Sequence, residues 1–291
     1  MLSHIAVADA YGAGFEYSAP TPDRPNTGNT YVAHPTHLSV RPGMYTDDTQ
    51  MSIAVAEVLL SHDRSHLAFA NAFVAAFHRD PRDGYARGFQ AFLPTVTSGA
   101  DFLARIKPNS AKSGGAMRAG PVGLLPDVGD VLALSALQAR LTHDTPEGVA
   151  AAQAAALMVF HQARLQAPLA TLPAFLDAHV PGHAWSKPLE GPAEHGGIDI
   201  VRAALHALIG STSLHDLLVR TVDVGGDVDT VAAIAMAPAA VSRHLDRTVP
   251  EPLVWGLENG RYGRDFLEAL DRRLAQHFGL TDVALPLSAP T

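Results

Sequence analysis

Apolar residues recur at helical spacing along nearly the whole chain, and alternation with a period of two is almost absent. Met51, Val55, Val58 and Leu59 fall near one face of residues 51–60, and Leu67, Ala70, Phe73, Val74 and Phe77 do so in residues 67–77. Segments 131–141, 146–165, 198–209 and 266–278 read the same way. Alanine dominates several of them, and it is both the best helix former and small enough to let helices approach closely. Residues 30–32 and 38–40 are the only strand candidates, and both sit among Pro and Gly. Strands do not alternate with helices, which excludes a doubly wound sheet. The pattern predicts an all-α fold: a single compact orthogonal helical domain over residues 1–291, with loops at 18–42, 107–115 and 180–197. No repeat is visible, and low complexity is confined to a Pro-containing end at 285–291.

Composition narrows the function. Hydrophobic residues make up 47% and charged residues 17%, enough apolar material for a large core. The net charge of -8 argues against a protein that works by neutralising a phosphate backbone, though not against one small phosphorylated ligand. There is no cysteine, which removes disulfides, thiolate zinc sites, iron–sulfur clusters and a thiol nucleophile together. The most apolar windows, 149–160 and 230–241, are shorter than the roughly 18–20 residues of a membrane span. The first residues show neither a basic patch nor a long apolar run. A soluble, cytoplasmic protein is expected.

Two acidic clusters carry the chemistry. Thr46-Asp47-Asp48-Thr49 precedes a helical run from Gln50, and Gly225-Gly226-Asp227-Val228-Asp229-Thr230 precedes an Ala-rich run from Val231. Either alone reads as helix capping, because Asp and Thr are favoured N-caps and a helix N-terminus attracts negative charge. Together they hold more carboxylates than capping uses. If the two helix starts face each other, like charges repel unless a divalent cation lies between them. Oxygen ligands without His or Cys select Mg²⁺, Mn²⁺ or Ca²⁺ over Zn²⁺, and two carboxylates per cluster suffice for a pair of ions. Asp227 and Asp229, two apart in an extended loop, would point the same way, and Gly225-Gly226 would let the backbone turn sharply.

Weaker features flank these. Lys112-Ser113-Gly114-Gly115-Ala116-Met117-Arg118 is a glycine-rich turn that could expose N–H groups to phosphate, without the spacing of a nucleotide fingerprint. Glu16 follows a glycine-broken helix end, which suits a surface or a site. His143 sits at a helix end, where His is often a dipole partner only.

In this order the motifs resemble the ADP-ribosylglycohydrolase family. Matching blocks lie at residues 9–16, 46–49, 110–123, 142–143 and 225–230, and 259–265 resembles the family's last helix region. Residues 80–85 with 113–118 look closest to the branch that cleaves serine-linked ADP-ribose. The resemblance implies an all-α fold with a two-Mg²⁺ centre at the base of a cleft, Mn²⁺ being the alternative. Thr46, Asp47 and Asp48 would bind one ion. Asp227, Asp229 and Thr230 would bind the other, with Asp229 shared. Glu16 matches an acid beside the metals, and with Asp47, Asp48 and Asp229 completes the catalytic set. Ser110, Ser113, Gly114, Gly115, Ala116 and Met117 match the loop that holds diphosphate and distal ribose, and His143 matches a residue on the ligand side.

Some positions depart from the family pattern: Ala8 for Gly, Ser113 for Asn, Val228 for Thr and Met236 for Gly, with Pro238 expected to kink its helix. The implied reaction is hydrolysis at C1″ of ADP-ribose on a protein or small-molecule acceptor, by a monomer without membrane partners. ADP-ribosylated nucleic acid stays open as a substrate. An inactive ADP-ribose-binding relative and another two-metal hydrolase are the alternatives, and the acceptor linkage is undetermined between arginine, serine, nucleobase and O-acetyl forms.

Overall fold

The computed structural model describes residues 1–280 and Leu287. The expected low-complexity end at 285–291 lies outside the described residues apart from Leu287. In chain order the helices are α1 Leu2–Ala13, α2 Asp47–Leu59, α3 His66–Arg79, α4 Arg87–Phe92, α5 Gly99–Arg105, α6 Val128–Arg140, α7 Pro146–Phe160, α8 Leu172–His179, α9 Gly197–Ile209, α10 Leu214–Asp223, α11 Val228–Val241, α12 Glu251–Gly256 and α13 Arg264–Phe278. The fold is all-α. Residues 30–32 and 38–40 form no strand; only isolated β-bridges occur among the described residues.

The middle of the molecule is made by α1 and α11, both buried along their whole lengths. A helix buried on every side has no polar face and therefore no amphipathic period, which is why α1 leaves no periodic signature in the sequence. α2, α10 and α13 pack around α1, while α7 and α9 pack against α11. α10 was missed for no such reason, since Leu214, Leu217, Leu218 and Val222 stand at helical spacing behind a Ser213 cap that accepts from the Asp216 N–H at 3.0 Å.

Helix starts differ from expectation where it matters. α2 begins at Asp47, so Asp47 and Asp48 lie in its first turn rather than in a preceding loop. Asp229 and Thr230 likewise lie in the first turn of α11. α11 runs on through Pro238 and ends at Val241. Among the described residues, no helix is long and apolar enough to cross a membrane.

Candidate active site

One face of α1 brings the two acidic clusters together. Asp9 and Gly12 lie one turn apart on that helix. The Asp9 carboxylate accepts the N–H groups of Thr46 and Thr49, each at 3.0 Å, and their hydroxyls at 2.7 and 2.6 Å. α2 is thus capped by a residue of another helix, and the Thr46 side chain makes no capping bond of its own. Burial pushes Asp9 up to about 6, against the pull of these hydrogen bonds. Gly12 seats the second cluster. A Cβ there would fall 2.4 Å from the Asp229 Cα, so α1 and α11 touch backbone to backbone where α11 begins.

The turn before α11 is held just as firmly. Gly225 and Gly226 adopt φ +74 and +92, and a Cβ on Gly226 would collide with the Ala193 carbonyl. The Asp227 N–H donates to that carbonyl at 2.7 Å, and the Tyr17 N–H donates to the Gly226 carbonyl at 2.8 Å. Asp227 and Asp229 are not two residues of one extended loop, because Asp229 is already helical. Even so, one ligand oxygen each from Glu16, Asp227 and Asp229 lie within 4.8 Å of one another.

The electrostatics show that the clusters meet. Burial first, and then Asp47, Asp9 and Asp227, raise Asp48 well above the usual carboxylate range. Asp47 and Asp229 are raised well above it too, by burial and then by the other acids, and Asp227 is raised chiefly by burial. The Thr230 hydroxyl partly relieves Asp48 and Asp227. Among the described residues no Lys or Arg pairs with these four carboxylates. Asp48 Oδ1 is buried with no hydrogen-bond partner. An orphaned anionic acceptor in a crowd of acids fits a bound cation, and an all-oxygen donor set fits a hard one.

These groups lie in a cleft of about 800 Å³. Glu16, Asp47, Asp48, Asp227, Asp229 and Thr230 line it, whereas Thr46 lies behind them. A hydroxyl that gives its hydrogen to Asp9 still has oxygen lone pairs for a cation. Ser110, Ser113, Gly114, Met117 and His143 also line the cleft. Gly115 and Ala116 stand behind that wall; the Gly115 carbonyl accepts from Gln138 Nε2 at 2.8 Å, and Ala116 is buried. The Ser113 hydroxyl faces Asp227 Oδ2 at 3.4 Å, which ties the glycine-rich turn to the acidic centre.

The chain matches the ADP-ribosylglycohydrolase family over residues 5–283. It belongs to that family. It is 27% identical over 256 residues to an ADP-ribosyl-[dinitrogen reductase] glycohydrolase of Rhodospirillum rubrum, covering 83% of this chain and 84% of that one. It is 24% identical to the ADP-ribosylarginine hydrolases Tri1 of Serratia proteamaculans and Pseudomonas putida, covering 80% of this chain and 67% of each relative. An ADP-ribosylglycohydrolase-related protein complex of known structure superposes with a TM-score of 0.70 at 22% identity, over 98% of this chain and 96% of the other. That last likeness concerns the fold. As a member of the family the chain is a hydrolase that releases ADP-ribose from an acceptor.

Within this family member, some of the cleft's aromatic and basic residues, Phe89, Phe92, Arg105 and Lys107, stand outside every block singled out in the sequence. Tyr85, Phe89 and Phe92 supply an aromatic wall, and Arg105, Lys107 and Lys112 supply positive charge. Phe89 and Phe92 lie on α4, Arg105 ends α5 and Lys107 follows it, so these four form no motif, whereas Tyr85 and Lys112 belong to the blocks at 80–85 and 112–118. The block at 80–85 turns out to build the back of the site. Buried Arg82 donates to Asp80, Glu258 and the Tyr45 carbonyl, and Tyr85 donates to Gln50 Oε1 at 2.6 Å. Gly84, at φ +116, lies so close that a Cβ would fall 2.2 Å from Asp47 Oδ1. His143 faces the cleft uncharged. Burial and then Arg118 push it down to about 3, and its Nδ1 lies 2.7 Å from the Thr142 hydroxyl.

Proposed function

We propose that the cleft binds two Mg²⁺ ions and hydrolyses the C1″ glycosidic bond of an ADP-ribosylated protein or small-molecule conjugate. The observation that carries this reading is Asp48 Oδ1, buried and unpartnered where two acidic helix starts converge. Thr46, Asp47 and Asp48 would hold one ion, and Asp227, Asp229 and Thr230 the other, with Asp229 shared and Mn²⁺ an acceptable substitute. Bound there, the dications supply charge compensation and Lewis-acid polarisation of ribose hydroxyls and water.

The chain's own residues do the rest. Arg105, Lys107 and Lys112 attract the diphosphate, and the Ser110 to Gly114 turn receives it beside an uncharged His143. Tyr85, Phe89 and Phe92 offer flat apolar surface to a purine. Cleavage at C1″ builds oxocarbenium-like positive charge on the sugar, which the crowded carboxylates stabilise. Glu16 or one of the metal-site aspartates exchanges the proton with water or leaving group. A cleft of about 800 Å³ accommodates a dinucleotide-sized ligand with part of its acceptor.

The relatives' names put arginine-linked ADP-ribose first among acceptors. The resemblance of residues 80–85 to the other branch puts serine second. A panel of arginine-, serine-, nucleobase- and O-acetyl-linked substrates, with Mg²⁺ and with chelator, tests this. Free ADP-ribose from at least one linkage, abolished by chelator, is the expected result. Release of AMP or phosphate instead would make the chain a different two-metal hydrolase. Label retained on every linkage would make it an inert binder.

A further inference from the structure

The long loop at 18–42 contributes a buried side chain to the acidic centre that the reaction outlined above does not use. His34 Nδ1 accepts two backbone N–H groups, from Thr36 at 3.1 Å and His37 at 3.0 Å. A ring nitrogen that accepts two N–H groups carries no hydrogen, so the ring hydrogen sits on Nε2. That Nε2 lies 2.7 Å from Glu16 Oε2, and the contact is therefore a directed N–H···O bond from His34 to the carboxylate. The His34 side chain is 1% exposed and Glu16 18%, so the donor is fixed in protein while the acceptor edges the cleft. Glu16 makes no other hydrogen bond among the described residues.

Glu16 stands in unfavourable company, its charge raising Asp227, Asp229 and Asp47. A flexible glutamate beside three like charges relaxes towards solvent unless something holds it. We propose that His34 is a positioning residue that anchors Glu16 Oε2, keeping the carboxylate beside Asp227 and Asp229 as part of the metal-binding centre. The role of His34 rests on the metal reading of the cleft given above. It also gives the 18–42 loop a function: the turn at His34 to His37 sets a tautomer, and the tautomer sets a carboxylate. Such outer partners of ligands are worth about ten- to a hundredfold in metal affinity.

A double-mutant cycle on the full chain tests this, read as Mn²⁺ affinity by electron paramagnetic resonance and as the ¹⁵N signature of His34 without metal. Glu16→Ala and His34→Ala should each weaken Mn²⁺ binding by about tenfold, and the double variant should be no weaker than Glu16→Ala alone. His34→Gln, whose amide nitrogen can take the place of Nε2, should recover most of the loss. The metal-free chain should show a protonated Nε2 and an unprotonated Nδ1. Effects that multiply in the double variant, an unchanged affinity in His34→Ala, or a hydrogen on Nδ1 would each overturn the role of His34. A wild-type chain that binds no Mn²⁺ while showing the expected His34 signature would sink the metal reading of the cleft, and this role with it.

Discussion

Two buried carboxylate arrangements lie at different places in this molecule and are treated in opposite ways. Asp271, on α13, caps α1 across the chain by accepting the Leu2 N–H at 2.7 Å, the Ser3 N–H at 3.0 Å and the Ser3 hydroxyl at 2.8 Å. Burial alone would push it up, but the Met1 ammonium and these N–H donors outweigh burial and hold it below the usual carboxylate range. At the cleft, Asp47, Asp48 and Asp229 are equally buried and lie well above that range. Asp9 falls between: four hydrogen bonds, no cation, and about 6. The chain can therefore satisfy a buried carboxylate where the purpose is structural. At the cleft no Lys or Arg among the described residues pairs with the four aspartates, and on the metal reading proposed above the compensating charge would come from a bound dication.

The largest expected effect breaks the cleft side of the contrast. Asp47→Ala or Asp229→Ala should reduce ADP-ribose release by about a thousandfold or more. Removing one like charge should at the same time leave the metal-free chain as heat-stable as wild type, or more so. Near-normal turnover in both variants, measured with Mg²⁺ present, contradicts the metal role. Asp271→Asn should do the reverse, costing about 3 kcal/mol of stability in denaturant unfolding while leaving turnover intact at permissive temperature. Because Asp271 is depressed in the fold, its contribution is complete above the ordinary value of 3.8 and is lost as pH falls through the lower folded value. The gap between variant and wild type should accordingly close below about pH 4.

The intermediate case gives intermediate outcomes. Asp9→Asn puts an amide against N–H donors and should cost about 2 kcal/mol of stability, with weaker Mn²⁺ binding because α2 loses its cap. Gly84→Ala should be the mildest, about 1–2 kcal/mol from a residue held at positive φ, with the added methyl displacing Asp47 and lowering metal affinity. If Gly84→Ala lowers stability but leaves metal binding unchanged, Asp47 is not held by the wall behind it.

The acidic clusters were legible because Asp-rich helix starts are conspicuous, and their pairing asked for a cation. What linked them was not legible. Asp9 lies in a helix buried all round, so nothing in its neighbours' periodicity marks it as the residue that grips α2. Capping by Thr46 or Asp227 was the natural local reading, yet neither side chain caps its own helix. Gly12 and Gly84 earn their places through contacts with residues far away in sequence, Asp229 and Asp47, that no local pattern encodes. His34 hides in a Pro- and Gly-rich loop, where its partner Glu16 is 18 residues away and its tautomer depends on a turn. The helices α2, α3, α6, α7, α9 and α13, by contrast, lie within a few residues of their predicted segments, because periodic apolar spacing is a local property, whereas α4, α5, α8, α10 and α12 correspond to no predicted segment.

Anomalous diffraction from Mn²⁺-soaked crystals bears most directly on the central claim. Two peaks between the starts of α2 and α11, with Asp48 and Asp227 on opposite ions and Asp229 touching both, are the expected result. Saturating Mn²⁺ with no peak there, and Asp48 Oδ1 left without a partner, would contradict it.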